Sequence, residues 1–297
     1  MTLKQLTTFY WVCRLGSFAA AAEYLFSTQS AVSMRIRELE TSLGVELFDR
    51  SLRAARLTPK GRDLIKHVEQ IMAVTNEIER SIASPDNLVG TVTIGATELV
   101  AITWLPSLVA AMHERCPNVF LKLDLDSAMN QTRKLERGAI DVAILPGPTA
   151  GSKYTNVFLE EVEFCWVAGG KNKVLKSRHT PEDLLSYQIL TLAAESFSYK
   201  LVESWFKKSD IIMERHYIAN SLSVLAELAA SGVGITYLPV TAFEHYFRDG
   251  RLKVLDVHPC LPTLDYYLVF EERVAHPAVY IVSELAQSLS DFDIKRQ

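Results

Sequence analysis

The stretch "STQSAVSMRIRELETSLGVELFDR", Ser27 to Arg50, carries two faces at helical spacing. Val32, Ile36, Leu39 and Leu43 recur at intervals of four, three and four. On a helix turning about 100° per residue they form one narrow apolar stripe. Ser30, Ser33, Met34, Arg37 and Thr41 fall on the opposite side, which is small, polar and basic with a single apolar residue. A solvated surface helix fits this pattern as well as a binding face does, so the flanking sequence has to decide between them.

Upstream, Leu3, Leu6, Phe9, Val12 and Cys13 predict a first helix over residues 3–15, ended by Gly16. Ser17 is placed to cap a second, "FAAAAEYLF", whose alanines have high helix propensity and allow close helix approach. Ser27 or Thr28 caps the third, and Gly44 ends it. Two helices across a very short turn, the second with a polar and basic outer face, make a helix-turn-helix. Downstream, Val45, Leu47 and Phe48 are expected to pack back on the helices, and Leu52 and Leu57 to bracket a basic wing. Thr58 and Pro59 then open a helix running to about Ser84. Its stripe of Leu64, Val68, Ile71, Thr75, Ile78 and Ile82 has the heptad-like spacing of a helix-to-helix seam. Some 26 residues span about 39 Å, which makes this helix a dimerisation candidate. "SPDNLVG" follows as a hinge.

The chain of 297 residues has room for about two to three compact units. Its 48% hydrophobic content supports substantial cores. The most apolar region is interrupted by Glu98 and Pro106, so no membrane span is expected. "MTLKQLTTFYW" lacks the pattern of a signal peptide, and a cytoplasmic protein is the expectation. Cys13, Cys116, Cys165 and Cys260 are far apart, with no CxxC pair and no zinc-ligand spacing, so reduced thiols and no metal or cofactor are expected. The net charge of −4 is uneven: residues 1–62 carry nine Lys/Arg against five Asp/Glu, a balance of +4 that leaves −8 elsewhere. Five basic residues and no acid lie between Arg50 and Arg62. A basic end on an acidic body suits a polyanion partner for that end alone.

From Thr91 the pattern alternates strand and helix. "TVTIGA", "VFLKLDL", "IDVAIL", "EFCWVAG", "QILTL", "HYIA", "GITYLP" and "TLDYYLVFEE" read as strands, and "AITWLPSLVAAMHERCP" as one of the intervening helices. This predicts an α/β region of mostly parallel sheet, large enough for two subdomains.

The residues quoted so far resemble the LysR-type transcriptional regulators. The resemblance is carried by the alanine-rich helix, "QSAVS", "IRELE", "LGVELFDR" and "LTPKG", and downstream by "TIG", "GAIDVAIL" and "LAASGVGITYLP". It covers nearly the whole chain. It implies a winged helix-turn-helix over residues 1–58, a dimerising linker helix over 59–88, and an effector domain of two Rossmann-like subdomains similar to periplasmic binding proteins. The first subdomain would comprise 89–161 and 266–297, and the second 162–265. It also implies double-stranded DNA and a small-molecule effector as partners, and a homodimer assembling as a dimer of dimers, a homotetramer. Two residues depart from the pattern. Met34 stands where the family often has Arg or another polar residue. Glu98 follows Thr97 on a loop that lines the cleft in relatives, many of which bind small carboxylates.

The outer face of the third helix is therefore expected to read DNA. Gln29 suits adenine, Arg37 suits guanine or a phosphate, Ser30 and Ser33 are short donors, and Met34 can touch a thymine methyl. Ser27 and Thr28 stand at the same helix start. Arg50, Arg53 and Arg56 suit phosphates, although Arg50 can instead pair with Glu46 or Asp49. The expected effector contacts are Thr97, Glu98, Leu99 and Val100, then Pro146 and Gly147, from the first subdomain. The second contributes Ser196, Phe197, Asn220, Ser221 and Ser223. All follow strand ends, where open α/β sheets bind ligands. Glu98 either caps its own helix or points into the cleft, and capping is the favoured expectation. Two other readings remain open. A DNA-binding enzyme is disfavoured because "GVGITY" precedes a strand instead of opening a helix, and no phosphate loop, HExxH or GxSxG is present. A purely architectural DNA-binding protein would leave the α/β region without a role.

Overall fold

The computed structural model describes residues 1–49, 55–82, 84–172, 177–213 and 217–292. The N-terminal unit is a winged helix-turn-helix. It consists of α1 (Leu3–Leu15), α2 (Phe18–Tyr24), α3 (Gln29–Leu43) and the strand pair β1 (Phe48–Asp49) and β2 (Arg56–Leu57), antiparallel with Phe48 opposite Leu57. The caps are local and strong. The Thr2 and Gln5 side chains form a reciprocal capping box on α1. The Ser17 side chain accepts from Ala20 N–H and the Thr28 side chain from Ala31 N–H. Gly44 stops α3 at φ 68°, a conformation that costs glycine little.

Val32, Ile36 and Leu39 are buried against Phe9, Val12 and Phe48 in one core. Leu43, expected on the same stripe, is instead partly exposed, because the last turn of α3 runs beyond the packed neighbours. Glu40 is buried, which the sequence pattern does not signal. Its carboxylate accepts from Leu47 N–H at 2.8 Å and Phe48 N–H at 3.3 Å, which ties the start of the wing to α3. A buried carboxylate needs such donors.

The helix α4 (Pro59–Ile82) follows. The expected seam is not wholly uncovered. Val68 is fully buried in the N-terminal core, with Leu64, Ile65 and Met72 packed beside it. The exposed apolar line begins at Ile71 (38% exposed) and continues through Val74 (56%), Ile78 (57%) and Ile82 (81%). Val74 takes the place expected for Thr75, which donates to Ile71 O at 2.9 Å.

The C-terminal region has two subdomains. The first holds a five-stranded sheet in the order β4 (Val119–Leu125), β3 (Gly90–Ala96), β5 (Val142–Pro146), β12 (Leu264–Glu271), β6 (Tyr154–Val162). Helices α5 (Glu98–Ile102), α6 (Leu105–Arg115), α7 (Ala128–Glu136) and α12 (Pro277–Leu289) accompany it. The second holds β7 (Cys165–Gly169) between β10 (Ile235–Leu238) and β11 (Leu252–Val254), with a parallel pair β8 (Leu190–Leu192) and β9 (Tyr217–Ala219). The bridge between Ile189 and Ile235 joins that pair to β10. Helices α8 (Pro181–Leu184), α9 (Phe197–Lys207), α10 (Leu222–Ala230) and α11 (Glu244–Arg248) complete it.

Two expectations are corrected. The sheets are mixed: β3 is parallel to β4 and β5, but β12 runs antiparallel to β5 and β6, and β7 antiparallel to β10 and β11. The chain crosses between subdomains after β6 and returns through β12, and these two long strands pair with each other. The single helix expected over "AITWLPSLVAAMHERCP" is broken between α5 and α6 at Thr103–Trp104. Pro106 lacks an N–H and therefore sits at the start of a new helix.

The N-terminal unit docks on the first subdomain. Arg14 pairs with Glu271 of β12 at 3.0 Å, and its guanidinium lies against Gly138. Tyr24, stacked on Trp11, donates to Asp141 Oδ1 at 3.3 Å. Phe26 adopts φ 46°, uncommon for a bulky residue, and its ring meets Phe120 of β4 edge-on. Asn76 of α4 donates to Ala275 O at 3.0 Å.

Burial at this junction pushes the Asp141 carboxyl up to about 6, against the opposing pull of Thr93 N–H, Tyr24 and the Arg14 charge. A carboxyl whose folded pKa is raised favours the protonated state. Its contribution to stability is complete below the unfolded value near 3.8 and is lost as pH rises to about 6. Asp141→Asn, which does not titrate, should therefore gain stability relative to wild type between pH 4 and pH 7, by about 3 kcal/mol at most. Calorimetric melts of both proteins at the two pH values check this; a pH-independent difference contradicts it.

Candidate functional site

The first candidate surface is the outer side of α3. Gln29, Ser30, Met34 and Arg37 are exposed there, and Ser33 is half-buried. Met34 is 56% exposed, so its thioether is not part of the core. The Thr28 hydroxyl is engaged, accepting from Ala31 N–H at 3.2 Å and sharing a 2.9 Å hydrogen bond with Ser30 Oγ. Ser27 is half-buried in the turn before it. Arg56 is exposed on β2 opposite Asp49, while Arg50 and Arg53 lie outside the described residues. Glu38 beside this face accepts from Gln5 Nε2 at 3.0 Å, which holds one acid of α3 toward α1. The side chains on the outer face, with the wing beside them, can donate and accept hydrogen bonds and neutralise phosphates in a groove wide enough for a helix.

The second candidate lies between the two C-terminal subdomains. Thr97 occupies the cap position of α5 without a side-chain capping bond, and Glu98 is the first residue of that helix. Glu98 does not cap its own helix. Its carboxylate crosses to the second subdomain and receives four hydrogen bonds at the start of α10. Oε1 accepts from Ser221 Oγ at 2.7 Å, Ser223 Oγ at 2.9 Å and Ser223 N–H at 3.2 Å; Oε2 accepts from Leu222 N–H at 2.6 Å. The cap is thus made across the cleft, because α10 is a nine-residue helix offering free N–H groups whereas α5 has five residues. Ser221 meanwhile caps α10 by accepting from Val224 N–H at 3.2 Å.

A second bridge lies at Gly147, which follows β5 with φ 77°. The ring of Phe197, first residue of α9, comes within 3.0 Å of where a Cβ on Gly147 would stand, a tight approach at a backbone conformation that favours glycine. Phe197 also packs beside the cluster containing Leu145 and Val269 of the first subdomain.

The remaining expected cleft residues are distributed differently. Leu99 and Val100 are buried in the main core, with their side chains given to packing. Pro146 is buried at the end of β5, and Asn220 is exposed before α10. Ser196 and Ser198 share a 2.9 Å hydroxyl contact at the start of α9. Beneath the first lip, burial pushes the Tyr266 phenol up, partly offset by Thr97.

The four cysteines are free, and burial pushes the thiols of Cys13, Cys116 and Cys165 up, away from the reactive thiolate form. Among the described residues no helix is long and apolar enough to cross a membrane, and no group of His, Cys, Asp and Glu is arranged to hold a metal. Sequence reasoning missed the Arg14, Tyr24, Asp141 and Glu271 junction. "GAID" brought Asp141 into view, but its partner Tyr24 is 117 residues away.

Comparison with known proteins identifies the regions that carry the two surfaces. Residues 3–62 match the family described as bacterial regulatory helix-turn-helix protein, lysR family, and residues 85–289 match the LysR substrate binding domain. A probable RuBisCO transcriptional regulator of Trichormus variabilis is 27% identical over 277 residues, covering 91% of this chain and 82% of its own. The HTH-type transcriptional regulator CzcR of Bacillus subtilis is 28% identical over 254 residues, covering 85% of each. In fold the chain is similar to a full-length OxyR variant from Pseudomonas aeruginosa (TM-score 0.72, 22% identity, 100% and 98% of the two chains). It is also similar to full-length CbnR complexed with its target DNA (TM-score 0.54, 20% identity, 98% and 100%). With a DNA-binding head matched at one end and an effector-binding domain over most of the rest, the chain belongs to the LysR family of transcriptional regulators and is not an enzyme.

Proposed function

We propose that this regulator acts in the cytoplasm, binds operator DNA as a dimer through α3 and the wing, and responds to a small molecule held between its two C-terminal subdomains. The observation that carries the reading is the two-sided character of α3. Val32, Ile36 and Leu39 are buried in the N-terminal core, while Gln29, Ser30, Met34 and Arg37 are exposed on the opposite face. In this reading Gln29, Ser30, Ser33, Met34 and Arg37 meet base edges, with Ser27 and Thr28 at the helix start beside the backbone. Arg56 contacts phosphate, and the same role is proposed for Arg50 and Arg53, which precede it in the basic run of the sequence.

The functional division follows residues 1–58 for the head, 59–88 for the linker, 89–161 with 266–297 for the first subdomain, and 162–265 for the second. The exposed line Ile71, Val74, Ile78 and Ile82 on α4 supports pairing with a second copy, and two such dimers joining gives a homotetramer. The effector site lies where Thr97–Val100 and Pro146–Gly147 approach Ser196–Phe197 and Asn220–Ser223, with Glu98 joined to α10 as the supporting contact.

Operator affinity measured against salt should fall with a log–log slope of roughly −5 or steeper, from several phosphate contacts in each half-site. Arg37→Ala should cost about 1–3 kcal/mol and relax preference at one operator position. Arg56→Ala should weaken all sequences alike and flatten the slope by about one per half-site. Binding titrations on an operator and its single-base variants distinguish the two, and the opposite pattern exchanges their roles.

Ile78→Asp places a charge in the exposed apolar line of α4. It should leave a monomer by light scattering and remove operator binding, because tethering two heads is what multiplies a weak half-site contact. A variant that remains dimeric with unchanged operator binding refutes the α4 seam.

A further inference from the structure

We infer that Glu98 is the resident anion of the cleft, occupying the anion-binding seat at the start of α10, so that the effector of this protein carries no carboxylate or phosphate at that position. The inference rests on the reading of the cleft as the effector site and narrows the chemistry it admits.

The seat is built for an anion. Two backbone N–H groups, of Leu222 and Ser223, and two hydroxyls, of Ser221 and Ser223, converge on one carboxylate at 2.6–3.2 Å. They lie at the positive end of a nine-residue helix. The occupant comes from the opposite subdomain, 123 to 125 residues away in sequence, and is attached to the first turn of α5. A tethered ligand competes at an effective concentration in the millimolar range for short flexible links, and higher when its geometry is fixed. A small free carboxylate at metabolite concentration therefore loses to Glu98. Because the four donors already satisfy both of its oxygens, Glu98 is also not a spare counter-ion waiting for a cationic effector. The lips are held together a second time where Phe197 rests on Gly147. What the cleft can bind beside Glu98 is a ligand that is neutral at the α10 end.

Chemical rescue tests this. Glu98→Ala empties the seat while leaving its four donors in place. In sodium chloride its melting temperature should be lower than that of wild type. Sodium acetate at equal ionic strength should restore it saturably, by about 2–4 °C, while wild type melts at the same temperature in both salts. A wild type stabilised by acetate as strongly as the Ala variant overturns the inference.

Hydrogen exchange decides the matter should the Ala variant fail to fold. In Glu98→Gln the amide nitrogen turns a donor toward a donor at one of the two oxygen positions, and at least one of the Leu222 and Ser223 amides should exchange about tenfold faster than in wild type. Equal rates overturn the inference. Operator affinity of Glu98→Ala with and without acetate separates the two levels of the argument. A change supports both the resident anion and the effector reading; a saturable thermal rescue with unchanged operator affinity keeps the resident anion and overturns the effector reading.

Discussion

The two C-terminal subdomains are connected by two passages of chain, and their relative position is fixed by what bridges them. The strongest bridge is the Glu98 carboxylate in the four-donor seat at the start of α10. A charge-assisted cluster of this kind is worth keeping only while all its members are present. An emptied seat leaves N–H groups at a helix start and a part-buried carboxylate without donors, and each of these is costly. The closed arrangement is therefore self-reinforcing: a small separation loses several directional bonds together, whereas the apolar contact of Phe197 with Gly147 weakens gradually.

Much of the head was legible in the sequence because its determinants are local. Ser17, Thr28, Gly16 and Gly44 bound helices whose apolar periodicity is unbroken, and each signal lies within four residues of the backbone group it satisfies. The strands β3, β5, β7 and β10 were legible as apolar runs buried on both faces. The strand β6 was not. It pairs with β12 across a bulge, where Tyr266 faces Glu160 and Tyr267 faces Phe158, so Leu159 is extra and the alternation slips by one within the strand. A pattern of period two cannot survive that slip in a sequence window.

Candidate-site legibility divides in the same way. The exposed face of α3 follows from helix geometry alone, since burying Val32, Ile36 and Leu39 turns Met34 and Arg37 outward. The direction of Glu98 does not. A carboxylate at a helix start is an ordinary cap by local rules, and only the fold reveals that a longer helix with two serines competes for it. Leu99 and Val100 leave only their backbone to the cleft for a related reason: the loop must also anchor itself, and these two side chains are the anchor. Tyr24 and Asp141 carry no motif that links them. Their partnership follows from docking the head on the first subdomain, which periodicity does not encode.

The placement of that docking constrains how cleft and head can communicate. Tyr24 meets Asp141 just before β5, Arg14 meets Glu271 at the end of β12, Phe26 meets Phe120 on β4, and α4 bonds to Ala275. All four partners belong to the first subdomain. Glu98 follows β3 of the same sheet, whose residue Thr93 donates its N–H to Asp141 at 2.7 Å. The head contacts and the first lip of the cleft are thus fixed to one packed sheet, and close-packed sheets deform little. If the proposed effector opens or closes the cleft, the geometry between head and first subdomain should then stay nearly unchanged. On that reading the part left to shift is the second subdomain, which makes none of these four head contacts. A change in DNA binding must arise where the second subdomain meets something outside this chain, or where the docked head is released as a unit. In the first case the element that would bear the signal is the seat on α10, because it is the part of the cleft carried by the second subdomain.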